Sequence, residues 1–336
     1  MEIKVPNNIE LKDIFVDIHC MGKNPQGEGI LIVIRKDNYV IYSALIDEYI
    51  SKEIFEIEKI EKLDLICWSH PHDDHSEGIK DVIKEYSSKQ TKIVVPIGIT
   101  NFKKYMTKKC KKTYRLINKI NRHNKKRNGE YIEVQQYSLL LENTYIDNCG
   151  RELSINIRTI APVSKRVNNM KNSKSCDMNE LSICLLVSIN HANFLFTSDI
   201  NNYIIGDMEI DKKKFENIVY YKIPHHGSNG SNNLLSYIPQ SDNNRIAVST
   251  IYSKNGQDKT PNLELLNRYI NKGLMVFCTD KNYIKGKEKD VGYGIVSTRI
   301  NISNCNNDEK LKWDIMFKEE ATEVNEISKL CSFKTL

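Results

Sequence analysis

The sequence lacks the features that mark a secreted, disulfide-stapled or membrane-spanning chain. Its nine cysteines are dispersed over 336 residues, and no two of them form a Cys-x-x-Cys pair. An odd, scattered set is typical of reduced thiols in a reducing compartment. No stretch reaches the roughly 18 consecutive apolar residues of a membrane-spanning helix, and the start of the chain has no apolar signal-peptide core. We therefore expect a soluble, cytoplasmic protein without a membrane partner.

The composition excludes a disordered or fibrous protein. Apolar residues make up 40% of the chain and charged residues 27%, which is ordinary for a globular protein. No segment repeats along the sequence. At roughly 150 residues per domain, a chain of 336 residues corresponds to one large or two small domains with room for a sizeable core.

Acidic side chains are missing from one segment, which we call the basic insert (residues 102–129). Between Lys103 and Arg127 it carries twelve Lys or Arg and no Asp or Glu, although the net charge of the whole chain is only +6. Its apolar residues form an incomplete helical stripe, so we expect a helix or helix pair that ends before Asn128-Gly129. A solvated surface helix is one interpretation. Charge of a single sign is also typical of a surface that binds a polyanion such as nucleic acid.

Apolar runs predict strands that are grouped between helices. Strands are predicted at 14–18, 30–34, 39–46, 63–68, 92–96, 131–141, 153–160, 182–189, 193–197, 219–223, 245–251 and 275–278, with a further strand pair near the end. Helices are predicted at 50–62, 76–86, 260–271 and 318–331, besides the basic insert. In the third of these helices, Thr260 should be the cap and Pro261 the first residue. This order favours an α+β fold with two sheets and helices outside them.

A cluster of three histidines and two aspartates follows one of the predicted strands. It reads His70-Pro-His72-Asp73-Asp74-His75. On an extended loop His70 and His72 point to the same side, whereas Asp74 and His75, at the start of the next helix, can face a second point. Imidazole nitrogens and carboxylate oxygens are ligands of zinc in proteins. The spacing therefore predicts two divalent ions ~3.5–4 Å apart, one held mainly by imidazoles and the other by carboxylate and imidazole.

Two later strands also end in candidate ligands. Asp199 closes the apolar run 194–199, and His225 and His226 follow the strand 219–223. A single aspartate at a strand end is often only a turn former. Two such ends, in order after the first cluster, favour a shared site to which all of these side chains contribute.

Together these motifs resemble the metallo-β-lactamase fold and, within it, the hydrolase domain of ComEC-type DNA-uptake proteins. In chain order they are Ser43-Ala-Leu-Ile-Asp47, His70-x-His72-x-Asp74-His75, Asn179-Glu-Leu-Ser182, Thr197-Ser-Asp199, Pro224-His225-His226-Gly227-Ser228 and Thr279-Asp280. The resemblance covers residues 15–300. It implies an αββα sandwich of two mixed β-sheets flanked by helices, and two divalent ions, with zinc expected first and manganese or magnesium as alternatives.

The resemblance also implies which residues hold these ions. The ligands would be His70 and His72 for the first ion, Asp74, His75 and His225 for the second, and Asp199 as the bridge. Asp47 would orient the loop that carries the histidines. The superfamily often supplies a further histidine to the first ion, and neither His123 nor His191 is a convincing match. The first site would then be open, or it would be completed by water or Asn179.

The remaining implied roles concern the reaction. Asp74 or Asp199 would orient the attacking water, and both are expected to be catalytic residues together with His226. His226 would contact a phosphate or donate a proton to the leaving oxygen, with a structural histidine as the alternative. Ser228 and Ser231 would line the substrate side.

These features predict a metal-dependent phosphodiesterase, and most specifically a nuclease with DNA favoured. The bases expected to bind the phosphate backbone without selecting sequence are Lys108, Lys109, Lys111, Lys112 and Arg115. One alternative is a hydrolase of a small ester, lactam, thioester or cyclic nucleotide, with the basic insert as a docking surface. A weakly catalytic regulatory module is the other. Nucleic acid is the expected partner, a partner protein of a larger system is left open, and bacterial defence is a hypothesis for the setting.

The predicted domain organisation is simple. One hydrolase domain is expected over residues 1–300, interrupted by the basic insert, and a C-terminal strand and helix (301–336) would pack on the same domain. Because the insert follows the histidine cluster closely in sequence, the polyanion that it attracts is expected to be the substrate.

Overall fold

The computed structural model describes residues 10–23, 26–49, 51–123, 129–173, 176–241, 245–254, 257–280, 293–302 and 312–324. These residues form two large mixed β-sheets, with helices packed on the outer face of each. No helix within these ranges is long and apolar enough to cross a membrane.

The elements have the following bounds. The strands are β1 (Ile14–Lys23), β2 (Gly27–Lys36), β3 (Tyr39–Asp47), β4 (Leu65–Cys67), β5 (Lys92–Pro96), β6 (Glu130–Val134), β7 (Leu139–Ile146), β8 (Glu152–Ala161), β9 (Cys184–Ile189), β10 (Ala192–Phe196), β11 (Ile218–Lys222), β12 (Arg245–Ser249), β13 (Tyr252–Lys254), β14 (Gln257–Thr260), β15 (Leu274–Cys278), β16 (Tyr293–Asn301), β17 (Lys312–Glu319) and β18 (Thr322–Glu323). The α-helices are α1 (Ser51–Ile57), α2 (Ile79–Tyr86), α3 (Lys108–His123), α4 (Ser164–Lys171), α5 (Asn202–Asp207), α6 (Lys212–Glu216) and α7 (Leu263–Asn271). Short 3₁₀ segments lie at Ile99–Tyr105, Met178–Leu181, His225–Gly227 and Asn229–Ser236.

Each large sheet is part antiparallel and part parallel. The first has the order β17-β16-β1-β2-β3-β4-β5-β6, in which β3, β4, β5 and β6 are parallel. The second has the order β18-β15-β12-β11-β10-β9-β8-β7, in which β10, β11, β12 and β15 are parallel. The predicted α+β architecture, two mixed sheets flanked by helices, is confirmed.

Apolar side chains fill three layers because the strands are buried on both faces. In β2, Ile30 and Ile32 point into the layer between the sheets, whereas Leu31 and Val33 point to the outer face of the first sheet. Successive residues of a strand face opposite sides, so a strand covered on both faces is apolar throughout. Helices α1, α2 and α3 cover the first sheet, and α5, α6 and α7 cover the second.

One predicted strand is two strands in different sheets. The sequence predicts a single strand over 131–141, but β6 belongs to the first sheet and β7 to the second. Between them the backbone N–H of Ser138 donates to the carbonyl of Gln135 at 3.0 Å, and Tyr137 has a left-handed φ of 68°. This tight turn divides the segment 131–141 into two strands, one in the first sheet and one in the second.

Three helix predictions need correction or lie partly outside the described ranges. Thr260 ends β14, and Asn262 caps α7 instead, because its side-chain oxygen accepts a hydrogen bond from the Leu265 N–H at 2.9 Å. The helix predicted over 318–331 is wrong at its start, since residue 318 belongs to β17, and residues 325–331 are not described. In the basic insert α3 forms, but residues 124–128 are likewise not described.

Candidate metal centre

Three strand ends bring the predicted ligands to one edge of the sandwich. Residues 69–78, which we call the histidine loop, connect β4 of the first sheet to α2. Asp199 follows β10, and the turn at residues 224–228 follows β11. Because β10 and β11 are parallel neighbours, their carboxyl ends meet at the same edge. The site is therefore built from both sheets.

Four buried side chains form the first group of potential ligands, namely Asp74, His75, Asp199 and His226. The Nε2 atom of His75 lies 3.4 Å from Oδ2 of Asp74 and 3.4 Å from Oδ2 of Asp199. The corresponding distances from Nε2 of His226 are 3.3 and 3.5 Å. Zinc bonds of about 2.0–2.1 Å in a tetrahedron separate neighbouring ligand atoms by about 3.3–3.4 Å. The spacing of this group matches that geometry.

A second group, His70, His72 and Asp199, adjoins the first. The Nε2 atom of His70 lies 3.0 Å from Nδ1 of His72 and 3.8 Å from Oδ2 of Asp199. Asp199 belongs to both groups. Two potential cation positions therefore share one carboxylate.

Several atoms of the site are buried without a hydrogen-bond partner among the described residues. They are Nε2 of His75, Nε2 of His226 and Oδ1 of Asp199. Buried polar atoms nearly always have a hydrogen-bond partner. A metal cation can bind imidazole nitrogens and carboxylate oxygens at the same time, so it would be a shared partner for these atoms. By this test the residues fit a divalent metal.

The other ring nitrogens are held from behind by oxygen atoms. Nδ1 of His75 lies 2.7 Å from Oδ2 of Asp47, and Nδ1 of His70 lies 3.2 Å from Oγ of Ser69. Asp47 also accepts hydrogen bonds from the backbone N–H of Ser69 at 2.8 Å and from its hydroxyl at 2.5 Å. Such contacts fix the ring orientation of metal-binding histidines, so they direct Nε2 of both rings into the site.

The pKa values reflect mutual pairing of the buried carboxylates and imidazoles. Burial lowers the pKa of His70 well below its ordinary value, and the neighbouring imidazoles act in the same direction. Burial also acts to lower the pKa of His75, but Asp199 and Asp74 outweigh it and hold this pKa well above its ordinary value. Burial acts to raise the pKa of Asp199, yet His226 and His75 hold it well below. A metal ion at this site would compete with protons for these side chains.

Four non-glycine residues at this site have a left-handed backbone conformation. Non-glycine residues with positive φ include Asp47 (54°), Ser198 (47°), His225 (49°) and His226 (50°). Conformations of this kind cost roughly 1–3 kcal/mol each and persist where the surrounding structure enforces them. In the turn after β11 they separate the directions of two adjacent imidazoles.

Of the two adjacent histidines, His226 lies with Asp74, His75 and Asp199, whereas the sequence resemblance implies His225 as the ligand at this position. His226 is buried and groups with Asp74, whereas His225 is half-buried and its Nε2 lies 3.5 Å from Nδ2 of Asn179. Oδ1 of Asn179 and Nδ1 of His225 are buried without a partner among the described residues. His191 is exposed in the β9–β10 turn.

The two predicted substrate-side serines are occupied within their own turn. The Ser231 hydroxyl is buried and donates to the carbonyls of Pro224 at 3.1 Å and Ser228 at 2.7 Å. The Ser228 hydroxyl accepts from the Gly230 N–H at 3.2 Å. Both hydroxyls thus hold the turn that presents the histidines.

Helix α3 of the basic insert packs directly on the histidine loop. The Cys110 thiol donates to the Pro71 carbonyl at 3.2 Å, and the Thr113 hydroxyl donates to the Ser76 carbonyl at 3.3 Å. The Thr107 hydroxyl also donates to Asp73. These hydrogen bonds fix the helix beside the residues that carry the candidate ligands.

Only some of the basic residues that are predicted to contact substrate lie on the exposed face of α3. The exposed bases of the helix are Lys108, Lys112, Arg115, Lys119 and Arg122. Lys111 is half-buried, and Lys109 forms an ion pair with Glu77. The outward face therefore differs in part from the predicted set.

Two buried charged residues that the sequence interpretation missed adjoin the site. Glu28, between Gly27 and Gly29, lies behind His226, and Lys222 is completely buried at the end of β11. Burial acts to raise the pKa of Glu28, but Lys222 and His226 outweigh it and hold this pKa well below its ordinary value. The sequence did contain one signal of this buried charge, because Lys222 is the only charged residue in the apolar run 219–223.

Comparison with known proteins gives structural likenesses only. No family model and no curated protein matches the sequence. The chain is similar to the metallo-beta-lactamase fold protein YhfI from Bacillus subtilis, with 13% identity, 78% of this chain and 85% of that one covered, and a TM-score of 0.38. It is also similar to a diphosphatase from the PhnP family, with 12% identity, 66% of this chain and 82% of that one covered, and a TM-score of 0.35. A third similar structure is Zn²⁺-bound PqqB from Methylobacterium extorquens, with 7% identity, 61% of this chain and 71% of that one covered, and a TM-score of 0.34.

Proposed function

We propose that this protein is a metal-dependent phosphodiesterase that acts as a nuclease, with DNA as the favoured substrate. The observation that carries the proposal is the contact between α3 and the histidine loop. A row of exposed bases lies on the same helix whose buried face holds Pro71 and Ser76. A polyanion bound to α3 would therefore lie beside the candidate metal centre.

The site would hold two divalent ions, zinc first, with manganese or magnesium as alternatives. We assign one to His70, His72 and Asp199, and the other to the group that contains Asp74 and His226. Bound divalent ions lower the pKa of water toward neutrality and neutralise the charge that develops on a phosphodiester. In this assignment His226 holds the second ion, so we withdraw it as a proton donor.

The chain's own groups would position the substrate. Exposed lysines and arginines of α3 would bind backbone phosphates, which orient a nucleic acid without selecting its sequence. The half-buried ring of Tyr252 stacks on His226, with 5.1 Å between centroids and 21° between planes. Burial, together with Asp74 and Asp199, raises the pKa of Tyr252 to about 12. A tyrosine phenol is protonated at neutral pH, so it would be able to donate a hydrogen bond to a phosphate oxygen.

The test is an incubation with plasmid and single-stranded DNA and RNA across Zn²⁺, Mn²⁺ and Mg²⁺. We expect the wild-type protein to cleave nucleic acid. The cleavage rate should be lower by about 100-fold or more in the variants His72→Ala and Asp199→Ala. Asp64→Asn is the matched control, since Asp64 is a largely buried carboxylate that accepts from the Ser43 N–H at 2.8 Å. Metal content is measured on the same samples.

The outcomes separate the competing functions. Intact nucleic acid under all three metals, with turnover of a generic ester or small phosphodiester, would show that the nuclease proposal is wrong. Less than about one ion per chain in carefully purified protein would count against catalysis altogether and favour a regulatory module.

A further inference from the structure

A buried carboxylate stands behind two of the candidate ligands. Oε2 of Glu28 lies 3.1 Å from Nδ1 of His226, and Oε1 lies 3.8 Å from Nδ1 of His75. Nδ1 of His226 is also 2.9 Å from the hydroxyl of Thr250, which itself donates to Glu28. The nitrogen of His226 that faces away from the site is thus held by two oxygens from different sheets.

Glu28 is itself held by a buried ammonium group. Nζ of Lys222 lies 3.0 Å from Oε2 of Glu28, and both side chains are buried, at 0% and 2% exposure. A second contact of the same Nζ, 3.3 Å to the carbonyl of Ile223, fixes its position. Lys222 therefore balances the charge of Glu28 and limits the directions in which its carboxylate can turn.

The backbone around Glu28 is shaped for a close approach to the histidine loop. A Cβ at Gly27 would lie 3.1 Å from the carbonyl oxygen of Asp74 and 2.7 Å from the ring of Tyr49. One at Gly29 would lie 2.8 Å from the backbone nitrogen of Tyr49. The N–H of Glu28 donates to the Asp74 carbonyl at 3.2 Å. Flanking glycines thus allow β2 to reach the loop and deliver its carboxylate.

We propose that the Glu28–Lys222 ion pair is a positioning device of the metal centre, which holds Nε2 of His226 toward Asp74 and Asp199. The proposal rests on the metal centre of the proposed function and assigns two residues to it. Neither residue touches an ion or a substrate in this scheme. Their effect passes through His226, whose ring orientation and basicity follow from the group behind it.

Stability alone does not account for this pair. Replacing a buried ion pair by apolar side chains of similar volume is often neutral or stabilising, because both charges lose their hydration on burial. A pair retained only for stability would therefore be replaceable without consequence for the site. The contact of Glu28 with His226 gives the pair a role that an apolar replacement would not fill.

The variants separate positioning from folding. Glu28→Gln keeps the shape of the side chain but leaves the buried Lys222 ammonium unpaired, so its thermal midpoint is also expected to fall. Lys222→Met leaves an unpaired buried carboxylate and is expected to destabilise the fold, whereas the double variant Glu28→Gln/Lys222→Met removes both charges together. The matched control is Asp17→Asn, which neutralises a buried carboxylate paired with Arg35 and Arg299.

The measurements are the thermal midpoint, metal affinity by chelator competition, and the absorption spectrum of the Co²⁺-loaded protein. We expect Glu28→Gln and the double variant to be folded, to bind one ion about 10–100-fold more weakly, and to show an altered Co²⁺ spectrum. Asp17→Asn should keep the wild-type affinities and spectrum. Recovery of stability without recovery of metal affinity in the double variant is the result that identifies positioning.

Three results would contradict the proposal that the Glu28–Lys222 pair positions His226. Wild-type metal affinities and spectrum in folded Glu28→Gln would overturn this proposal and leave the proposed function untouched. If affinity and stability recover together in the double variant, the pair is structural and the proposal also fails. A wild-type protein that binds no ion would remove the metal centre itself, and the proposed function would fall with it.

Discussion

Side chains at the candidate metal centre are arranged in pairs, with one side chain facing the site and one behind it. Asp47 stands behind His75, and Glu28 stands behind His226. The family resemblance predicts the role of Asp47, which ends β3, the parallel neighbour of the strand β4 that leads into the histidine loop. It does not point to Glu28, whose partner Thr250 is 222 residues away.

A second buried charge cluster lies apart from these ligands. Oε1 of Glu58 is 3.2 Å from Nε2 of His19, and its other oxygen contacts Arg35. Burial acts to raise the pKa of Glu58, but His19 and Arg35 outweigh it and lower this pKa. Since the folded-state pKa is below the unfolded value of about 4.3, ionised Glu58 contributes stability above that pH. The contribution disappears as the pH falls through the folded-state pKa.

We therefore predict that Glu58→Gln is less stable than the wild type at pH 7, by roughly 1–3 kcal/mol, and that the difference shrinks below about pH 4.3. Urea unfolding over a pH series measures both quantities. Glu61→Gln, at an exposed position next to α1, is the control and should show no such change. A stability difference that is constant with pH would contradict the assignment.

Among the elements, α3 has two faces with different roles. Cys110, Tyr114 and Ile117 are buried against the first sheet and the histidine loop. Lys112 and Arg115 belong to the exposed face. The helix is therefore fixed in place by its apolar side and presents its bases outward.

We predict that reversing the four bases Lys108, Lys112, Arg115 and Lys119 to Glu weakens nucleic-acid binding at low salt by at least about 10-fold. The slope of log affinity against log salt should decrease by roughly 0.9 for each phosphate that the variant no longer neutralises. Fluorescence anisotropy over a salt series measures both. Because all four side chains are exposed, the thermal midpoint should stay unchanged.

A charge-matched control is available on other elements. Lys59, Lys89, Lys312 and Lys318 are also exposed, and reversing all four changes the net charge by the same amount. This variant should keep the affinity and most of the salt slope. Equally weakened binding in the two variants would mean that net charge, and not α3, attracts the nucleic acid.

At the scale of the whole molecule, the candidate ligands connect the two sheets. His70 and His72 follow β4 of the first sheet, whereas Asp199 and His226 follow β10 and β11 of the second. A cation bound by both sets would join the sheets at this edge. Binding to the folded state alone also raises stability by mass action.

We predict that removing metal lowers the thermal midpoint. At a free ion concentration about 100 times the dissociation constant, the stabilisation is about 2.7 kcal/mol, which corresponds to a shift of about 5 °C. Calorimetry of protein with metal, with chelator and with metal restored measures it. In Asp199→Ala the shift should disappear, whereas His191→Ala, at an exposed turn, should retain it. A midpoint insensitive to chelator would contradict a metal shared by the sheets.

Local sequence determined most of the elements and the first group of candidate ligands. Apolar runs located most strands within two or three residues, because burial on both faces requires continuous apolar residues. The order of His70, His72, Asp74 and His75 could be interpreted directly, since four candidate ligands within six residues of one loop are neighbours in any fold.

Tertiary structure decided the contacts that depend on distant segments. A turn at 135–138 divides one apolar run between two sheets, which no local pattern reports. His226 rather than His225 groups with Asp74 and Asp199, in a turn where both histidines have a left-handed backbone. The contact of Glu28 with His226 depends on the approach of β2 to β11 and the histidine loop. Sequence spacing predicts contacts only between residues that are close in the chain. The packing of the two sheets decides which charged side chains from distant segments meet in the buried space between them.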